Sequence, residues 1–407
     1  MTPPFRRQPL KGLYLLYRAA TTLLIKVPLW TLLFLPKSAR PRPTWTIKRA
    51  LWLHLLRAFA STLSVTGPLG VAPDHHAITP GPDVNGVWVK AAPQLVHGDL
   101  EKWATESSVI PIDIPGYWLH KKGSSLKVGS PPSPGEKVIL ALHGGAYVRL
   151  SAHPSDLTSG IVRSFLKHID SVQRVFSVEY RLSSGKPFPV ANPFPAALLD
   201  ALAAYNYLVT EVGFAPENII VDGDSAGGNL ALALTRYLVE YRDTPGLPAP
   251  PGGQILLSPW TDLSSSHYTP GSSAYTCHDT DYIVVRGGGT SYAQDAFFGP
   301  QGKTFGELNR YVSPSSLHPD FEISFAGFPR TFIVAGGAET LLDQIRTLRD
   351  RMVKDLGEGD GIKPEEGKVT YHEATEGIHD FLVFKWHEPE RTDALRAIAK
   401  WVAMTEQ

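Results

Sequence analysis

From about residue 109 onward, short apolar runs alternate with longer segments whose apolar residues recur every three or four positions. The short runs, rich in β-branched residues, predict strands, and the longer segments predict helices. The predicted strands are 137–142, 172–180, 219–221, 254–257, 331–334 and 368–372, and the predicted helices are 195–211, 229–241 and 341–356. Strands and helices in this alternation predict an α/β fold, with a mostly parallel sheet covered by helices on both faces. Functional groups should then lie at the carboxyl ends of the strands.

The predicted strand 219–221 leads into a turn that carries a serine between two glycines. The residues Gly223, Ser225 and Gly227 form the pattern Gly-x-Ser-x-Gly, and the predicted helix 229–241 follows. A sharp strand-to-helix turn requires small residues two positions from the serine, because a larger side chain would collide with the neighbouring strand or helix. The context of strand and helix therefore predicts a nucleophile elbow, with Ser225 as the nucleophile.

A second glycine-containing turn follows the first strand of this series. The residues are His143, Gly144, Gly145 and Ala146. Acyl transfer builds negative charge on a carbonyl oxygen, and rigid backbone N–H groups aimed at that oxygen stabilise it. Alone, the turn could be an ordinary glycine turn. Together with Ser225, it predicts an oxyanion hole from Gly144, Gly145 and Ala146, and the amide of Ala226 would add a donor.

A serine nucleophile requires a base, and the base requires an acid that orients it. His379 lies in the loop after the last predicted strand, where a catalytic histidine should project toward the serine, whereas His372 lies within that strand. Asp343 follows the strand 331–334 and is the predicted acid. Glu339 is the rival for this role.

These residues belong to a series of motifs between about 138 and 384. The motifs are His143-Gly-Gly, Tyr180-Arg-Leu, Pro193-Phe-Pro-Ala-Ala, Gly223-Asp-Ser-Ala-Gly, Leu257-Ser-Pro-Trp-Thr-Asp, Asp343 and His379. The chain thereby resembles the hormone-sensitive-lipase-like family of α/β-hydrolases, which includes the bacterial family IV esterases. The resemblance implies an α/β-hydrolase fold, a triad of Ser225, His379 and Asp343, and a cap made from the N-terminal region and an insertion at about 264–317.

The chain departs from the family pattern in three places. Ala146 stands where a third glycine is usual, so its amide can serve only if the backbone is unstrained there. The segment 183–185 replaces the usual Ala-Pro-Glu. Asp380 stands where a small residue commonly follows the histidine. A carboxylate there could alter the pKa of His379 or bind a group around it, but we expect its side chain to point to solvent.

The first sixty residues differ in charge from the rest of the chain. Residues 1–60 contain eleven Lys and Arg and no Asp or Glu, although the whole chain has a net charge of zero. A basic, strongly apolar segment on an acidic body favours contact with anionic lipid over contact with nucleic acid. We therefore expect no nucleic-acid partner and a possible membrane-surface association through residues 1–60.

The apolar stretch 13–36 is interrupted by Arg18, Lys26 and Pro28, so neither a membrane span nor a secretory signal is predicted. On a projection at about 100° per residue, the polar residues Arg7, Lys11, Arg18, Thr22 and Lys26 fall within one arc. The apolar Leu15 and Ile25 are exceptions that share this arc. Two interpretations stay open: a helix lying in a membrane surface, or a helix packed over the body as part of the cap, its cations toward solvent. We divide the chain into this basic segment (1–65), a linker and approach to the body (66–105), and the hydrolase domain (106–407).

The predicted activity is hydrolysis of an uncharged ester by a serine carboxylesterase or lipase-like enzyme, through an acyl-enzyme. An acyltransferase or deacetylase on the same triad, or a ligand-binding protein without catalysis, are the alternatives. The substrate would be a small-molecule or lipid ester. The mechanism needs no cofactor, and no cluster in the sequence has metal-ligand spacing. Cys277, the single cysteine, fits an intracellular protein, cytoplasmic or peripheral to a membrane, rather than a secreted one.

Overall fold

A single eight-stranded sheet organises the protein, and the computed structural model describes residues 4–70, 72–285, 290–363 and 365–404. The strands are β1 (Gly86–Val89), β2 (Ile114–His120), β3 (Lys137–Leu142), β4 (Val172–Val178), β5 (Ile219–Asp224), β6 (Gly253–Leu257), β7 (Arg330–Gly336) and β8 (Val369–Ala374). Their spatial order is β1-β2-β4-β3-β5-β6-β7-β8. Strands β3 to β8 run parallel, whereas β2 pairs antiparallel with both β1 and β4.

Helices lie on both faces of this sheet. They are α1 (Leu10–Thr21), α2 (Val27–Leu33), α3 (Ile47–Thr66), α4 (Gly98–Glu106), α5 (Ser159–His168), α6 (Ala196–Asn206), α7 (Ala226–Glu240), α8 (Ser273–Thr276), α9 (Ser291–Phe298), α10 (Gly302–Leu308), α11 (Leu342–Leu356) and α12 (Glu390–Ala403). Helices α6, α7 and α11 pack into the core on one face, and α5 and α12 into the core on the other.

The two cores follow from the twofold alternation of side chains along the strands. In β3, Val138, Leu140 and Leu142 enter one core, whereas Ile139 and Ala141 enter the other. A parallel strand covered on both faces must be apolar at every position, which explains why these runs are continuous rather than alternating. The predicted α/β fold, a mostly parallel sheet covered by helices on both faces, is confirmed.

The sequence did not predict the two antiparallel strands at one edge of the sheet. Strand β1 and all but the last residue of α4 lie within 66–105, the stretch predicted as a linker and approach to the body. Trp88, in β1, is 43% exposed. One strand of four residues in a proline-rich and glycine-rich context gives too short a pattern to distinguish from a loop.

The N-terminal helices turn Lys11 and Arg18 inward, the reverse of the orientation that the cap interpretation predicts. A π-turn at Thr22–Lys26 joins α1 to α2, so that residues 10–33 form one continuous helix. Its cations face α3: Lys11 Nζ donates to the carbonyl oxygen of Pro68 at 2.5 Å, and Arg18 Nε donates to Thr62 Oγ1 at 3.1 Å. The prediction that these cations point to solvent is therefore wrong for Lys11 and Arg18. Among the described residues, no helix is long and apolar enough to cross a membrane.

The chain between α2 and α3 contacts two turns of the hydrolase body. Arg42 donates to the carbonyl oxygens of Gly337 at 2.5 Å and Thr375 at 2.8 Å. Trp45 Nε1 donates to Glu376 Oε2 at 2.6 Å. These turns follow β7 and β8, so the N-terminal segment packs against the carboxyl ends of these strands, where the candidate site lies.

Candidate active site

Polar side chains from four parallel strands converge at one edge of the sheet. Ser225 follows β5, and the glycine loop 143–146 follows β3. Glu339 follows β7, and His379 follows β8. The carboxyl ends of parallel strands meet at the same edge, so these groups come together although they are far apart in sequence.

Ser225 occupies the sharp turn that the glycine spacing predicts. Its φ is 53° and its ψ −116°, a conformation that an L-residue rarely adopts. A Cβ at Gly227 would lie 1.9 Å from the carbonyl oxygen of Leu142, and a Cβ at Gly223 would lie 2.2 Å from that of Gly227. Both glycines are therefore required by close backbone approach, which is the reason for the Gly-x-Ser-x-Gly spacing.

His379 lies beside the serine. Its Nε2 is 3.0 Å from Ser225 Oγ, and the side chain is 1% exposed. The other ring nitrogen, Nδ1, lies 3.3 Å from Glu339 Oε2, and the Glu339 side chain is fully buried. The structure therefore brings together a serine, a histidine and a carboxyl group in the order that nucleophilic catalysis requires.

The carboxyl group at His379 is that of Glu339, and the prediction of Asp343 is corrected. Asp343 Oδ2 accepts a hydrogen bond from the backbone N–H of Ser273 at 2.7 Å. Its side chain is 35% exposed, and Oδ1 lies 4.0 Å from Arg346. The reason is local: α11 begins at Leu342, so Asp343 belongs to the first helical turn, whereas Glu339 lies in the turn directly after β7.

Asp380 points into the site rather than to solvent, contrary to expectation. Its Oδ2 lies 3.1 Å from His379 Nε2, and the side chain is 8% exposed. Asp380 has a φ of 48°, and this left-handed conformation turns the residue back toward the histidine ring. Two carboxyl groups therefore flank the imidazole, Asp380 at Nε2 and Glu339 at Nδ1.

These carboxyl groups determine the protonation of the imidazole. Burial alone would lower the pKa of His379, but Asp380 and Glu339 outweigh it and hold that pKa well above its ordinary value. Burial raises the pKa of Glu339 to about 6, although His379 opposes the rise. Burial also raises the pKa of Asp222 and Asp224 well above the ordinary range, and the charge of Asp380 adds to both shifts.

Asp281, which the sequence analysis missed, connects the segment 264–317 to the site. Its Oδ1 accepts from the backbone N–H of His379 at 3.3 Å. Its Oδ2 accepts from the backbone N–H of Thr340 at 2.8 Å, in the turn that carries Glu339. One buried carboxyl group thereby holds both the histidine loop and the acid turn. No short motif surrounds Asp281, so the sequence offered no signal for it.

Ala146, the residue in place of a third glycine, has a φ of 55°, the left-handed conformation that glycine adopts most readily. The next residue, Tyr147, holds the loop: its ring stacks on Phe297 with centroids 3.9 Å apart, and its hydroxyl donates to Asn229 at 2.8 Å. Tyr180 donates to the carbonyl oxygen of His143 at 2.5 Å at the start of the loop. The backbone at Ala146 is therefore not unstrained, as its amide was expected to require. These contacts instead hold the left-handed conformation in place, so the amide keeps a fixed direction.

Asp224 lies beside the start of this loop, and its interaction with the backbone N–H of Gly144 opposes the rise that burial causes in the pKa of Asp224. A Cβ at Gly144 would lie 2.3 Å from Asp224 Oδ2, so this contact also requires a glycine. Of the four amides predicted for the oxyanion hole, those of Gly144, Gly145 and Ala146 lie in the loop after β3, and that of Ala226 lies at the start of α7. Within the described part of the chain, no group of three or more His, Cys, Asp or Glu could hold a metal ion.

The comparisons with known proteins agree with the fold described above. The model of a family described by its alpha/beta hydrolase fold matches residues 139–383, more than half of the chain. The chain therefore belongs to this α/β-hydrolase family. The match confirms the resemblance to hormone-sensitive-lipase-like enzymes that the motifs indicated.

Curated relatives of the chain are ester hydrolases. An acetyl-hydrolase of Streptomyces hygroscopicus is 28% identical over 268 residues, which cover 64% of this chain and 73% of that protein. Esterase LipU of Mycobacterium tuberculosis is 29% identical over 267 residues, 65% of this chain and 77% of the relative. These relatives place the chain among carboxylic ester hydrolases.

Solved structures share the fold. The crystal structure of EstE5 has a TM-score of 0.57 at 24% identity, over 88% of this chain and 98% of the other. A hormone-sensitive lipase from a metagenome library has a TM-score of 0.55 at 21% identity, over 92% and 97%. At these sequence identities, the structural similarity shows a shared fold.

Proposed function

We propose that this protein is a serine carboxylesterase that cleaves an uncharged ester through an acyl-enzyme, with Ser225, His379 and Glu339 as its triad. The observation that carries the proposal is the alignment of the three groups. Ser225 Oγ lies 3.0 Å from one imidazole nitrogen of His379, and Glu339 Oε2 lies 3.3 Å from the other. Glu339 here takes the role that the sequence gave to Asp343.

In the first half of the reaction, Ser225 Oγ attacks the ester carbonyl carbon while His379 Nε2 accepts the hydroxyl proton. Glu339 at Nδ1 orients the ring and stabilises the imidazolium that forms. When the tetrahedral intermediate collapses, the carbon–oxygen bond to the alcohol breaks, and His379 returns the proton to the departing alcohol. In the second half, water attacks the acyl-enzyme with His379 again as the base, and the acid product leaves.

The developing oxyanion would be held by backbone amides. We assign this role to Gly144, Gly145 and Ala146, in the loop after β3, and to Ala226. Ala226 is the first residue of α7, so its amide also lies at the positive end of that helix. The segment 264–317, which supplies Asp281 and Tyr282 beside His379, is the proposed cap.

A fluorophosphonate probe tests the proposal directly. Such a probe forms a covalent bond with an activated serine, so we expect one adduct per chain, on the peptide containing Ser225. Ser225→Ala should abolish the adduct. A folded chain that gives no adduct, or an adduct on a different serine, would contradict the proposal.

The pH dependence of Asp380→Asn reports on the second carboxyl group at His379. Only the neutral imidazole can accept a proton, so activity is present above the pKa of His379 and lost as pH falls through it. Besides Asp380, Glu339, Asp281 and Asp224 face this ring, and they remain in the variant. Removing the Asp380 charge destabilises the imidazolium and lowers the pKa of His379. The acid limb of kcat/KM should therefore move to lower pH.

This shift is measured on a p-nitrophenyl ester, followed at the isosbestic wavelength across the pH range. Asp243→Asn is the matched control, since it removes the same charge from a side chain that is 97% exposed. It should leave the profile unchanged. An acid limb that stays in place in Asp380→Asn, or that moves equally in both variants, would show that Asp380 does not set the protonation of His379.

A further inference from the structure

The outward face of the N-terminal helix is apolar throughout. Between Leu10 and Leu33, thirteen residues are exposed, and all of them are Leu, Ile, Ala, Pro or Tyr. They are Leu10, Leu13, Leu16, Tyr17, Ala19, Ala20, Leu23, Leu24, Ile25, Pro28, Leu29, Leu32 and Leu33. Leu24 is 75% exposed, Leu16 68% and Leu32 66%. A helix on a water-exposed surface has the reverse pattern, with its polar residues outside.

Two cations of this helix, Lys11 and Arg18, are bonded on its inner side. Arg18 donates to Thr62 Oγ1 at 3.1 Å and to the carbonyl oxygen of Ala58 at 3.3 Å, both on α3. Lys11 reaches the carbonyl oxygen of Pro68 just beyond α3. These contacts fix the rotation of the helix about its axis, so the apolar face cannot turn inward without breaking them. A contiguous apolar surface of this kind marks a site of contact with another apolar phase or partner.

We propose that the helix from Leu10 to Leu33 lies in the surface of an anionic lipid bilayer, with this apolar face among the acyl chains. The helix lies parallel to the surface rather than across it, because its inner side is bonded to α3. Twenty-four residues give a length of about 36 Å along the membrane plane. Interfacial helices bury their apolar face by about 5–10 Å.

The charge of the segment selects an anionic bilayer over a second copy of the chain. Residues 1–60 carry eleven Lys and Arg and no carboxylate. Lys11 and Arg18 donate to backbone carbonyl groups, which leaves their positive charge in place. Lys37, just after the apolar face, and Lys48, at the start of α3, are exposed. Pairing two copies through this face would bring two such segments together, whereas phosphate headgroups supply the opposite charge.

Flotation of the purified full chain with vesicles tests the proposal independently of catalysis. The chain should float with phosphatidylcholine vesicles that contain phosphatidylserine, and less with phosphatidylcholine alone. In the triple variant Leu16→Gln/Leu24→Gln/Leu32→Gln, the partition coefficient should fall on the order of a hundredfold, because three exposed leucines no longer enter the acyl region. Glutamine is a good helix former, so the helix itself should persist.

A matched variant separates this face from general surface hydrophobicity. Ile110→Gln/Val128→Gln/Leu157→Gln changes three aliphatic side chains that are 69%, 41% and 57% exposed elsewhere on the molecule. It should bind vesicles like the parent. Both variants should keep the parent's melting temperature and its turnover of a water-soluble ester. A second test, Lys37→Glu/Lys48→Glu, alters no apolar contact and should weaken binding only to the phosphatidylserine vesicles.

Three results would overturn the proposal. The first is equal vesicle binding by the parent and the Leu16/Leu24/Leu32 variant. The second is equal binding of the parent to vesicles with and without phosphatidylserine. The third is a parent that ignores vesicles but dimerises in solution, with the dimer lost in that variant, which would assign the face to a second copy.

Discussion

Ser225→Ala is expected to reduce kcat/KM on a p-nitrophenyl ester by about 10⁴–10⁶-fold, because removing the nucleophile eliminates the acyl-enzyme route. The remaining rate would come from substrate binding and the backbone amides of the oxyanion loop. Alanine fits the elbow, since it is smaller than serine and the close approaches involve Gly223 and Gly227. The melting temperature should therefore change little.

Ser164→Ala is the control for this result. Ser164 is also buried, but its hydroxyl donates to the carbonyl oxygen of Gly160 within α5. This variant should retain activity, with at most a modest loss of stability. Substantial turnover by purified Ser225→Ala would refute Ser225 as the nucleophile.

Glu339→Gln is expected to lower kcat on the order of 10⁴-fold, as the loss of the orienting carboxylate does in other serine hydrolases of this type. Glutamine keeps the shape of the side chain but lacks the charge that stabilises the imidazolium. It can also present an N–H to Nδ1, which favours the wrong tautomer. Fluorophosphonate labelling should slow in parallel, because the same base activates Ser225.

Asp343→Asn is the comparison that decides between the two acids. Asparagine can still accept the hydrogen bond from the backbone N–H of Ser273, so the contact between α11 and α8 should persist. We expect activity within about threefold of the parent, as for substitutions away from the reacting atoms. A large loss in Asp343→Asn with near-normal rates in Glu339→Gln would restore the acid predicted from the sequence.

The sequence predicted the parts of the site that depend on backbone spacing. Gly223, Ser225 and Gly227 are set by close approach within a few residues, so a local pattern contains the information. The identity of the acid was harder to predict from the sequence, because two candidate carboxyl residues, Glu339 and Asp343, lie four positions apart after β7. The choice between Glu339 and Asp343 depends on where the strand ends and the helix begins. Sequence patterns define such boundaries only within a few residues.

The positions of Asp380 and Asp281 could not be predicted from the sequence, for a different reason. The direction of the Asp380 side chain depends on a single left-handed residue, and the position of Asp281 depends on how an irregular segment of the chain folds back. Neither leaves a periodic pattern in the sequence. Contacts of this kind are set by tertiary packing, which one-dimensional patterns do not record.

The π-turn at Thr22–Lys26 accounts for one exception in the helical projection of the N-terminal segment. That projection, at a constant angle per residue, put Ile25 among the cations, whereas Ile25 is 54% exposed on the apolar face. In the π-turn, the backbone N–H of Val27 bonds to the carbonyl oxygen of Thr22, five residues back instead of four. Because the wider turn contains an extra residue, every residue that follows is rotated less about the helix axis than in a regular α-helix.

This smaller rotation aligns the exposed residues of α1 and α2 on one face of the helix. Without it, the exposed residues of α2 would be rotated by about 100° from those of α1, one residue's worth of helical screw. The number of residues in this turn, rather than the number of apolar residues, thus determines whether the exposed apolar residues of α1 and α2 form one continuous stripe or two stripes on different faces. Because the π-turn contains one residue more than a regular α-helical turn, deleting one residue between Thr22 and Lys26 should leave the stripes in phase, whereas a regular α-helix through all the residues present would put them out of phase.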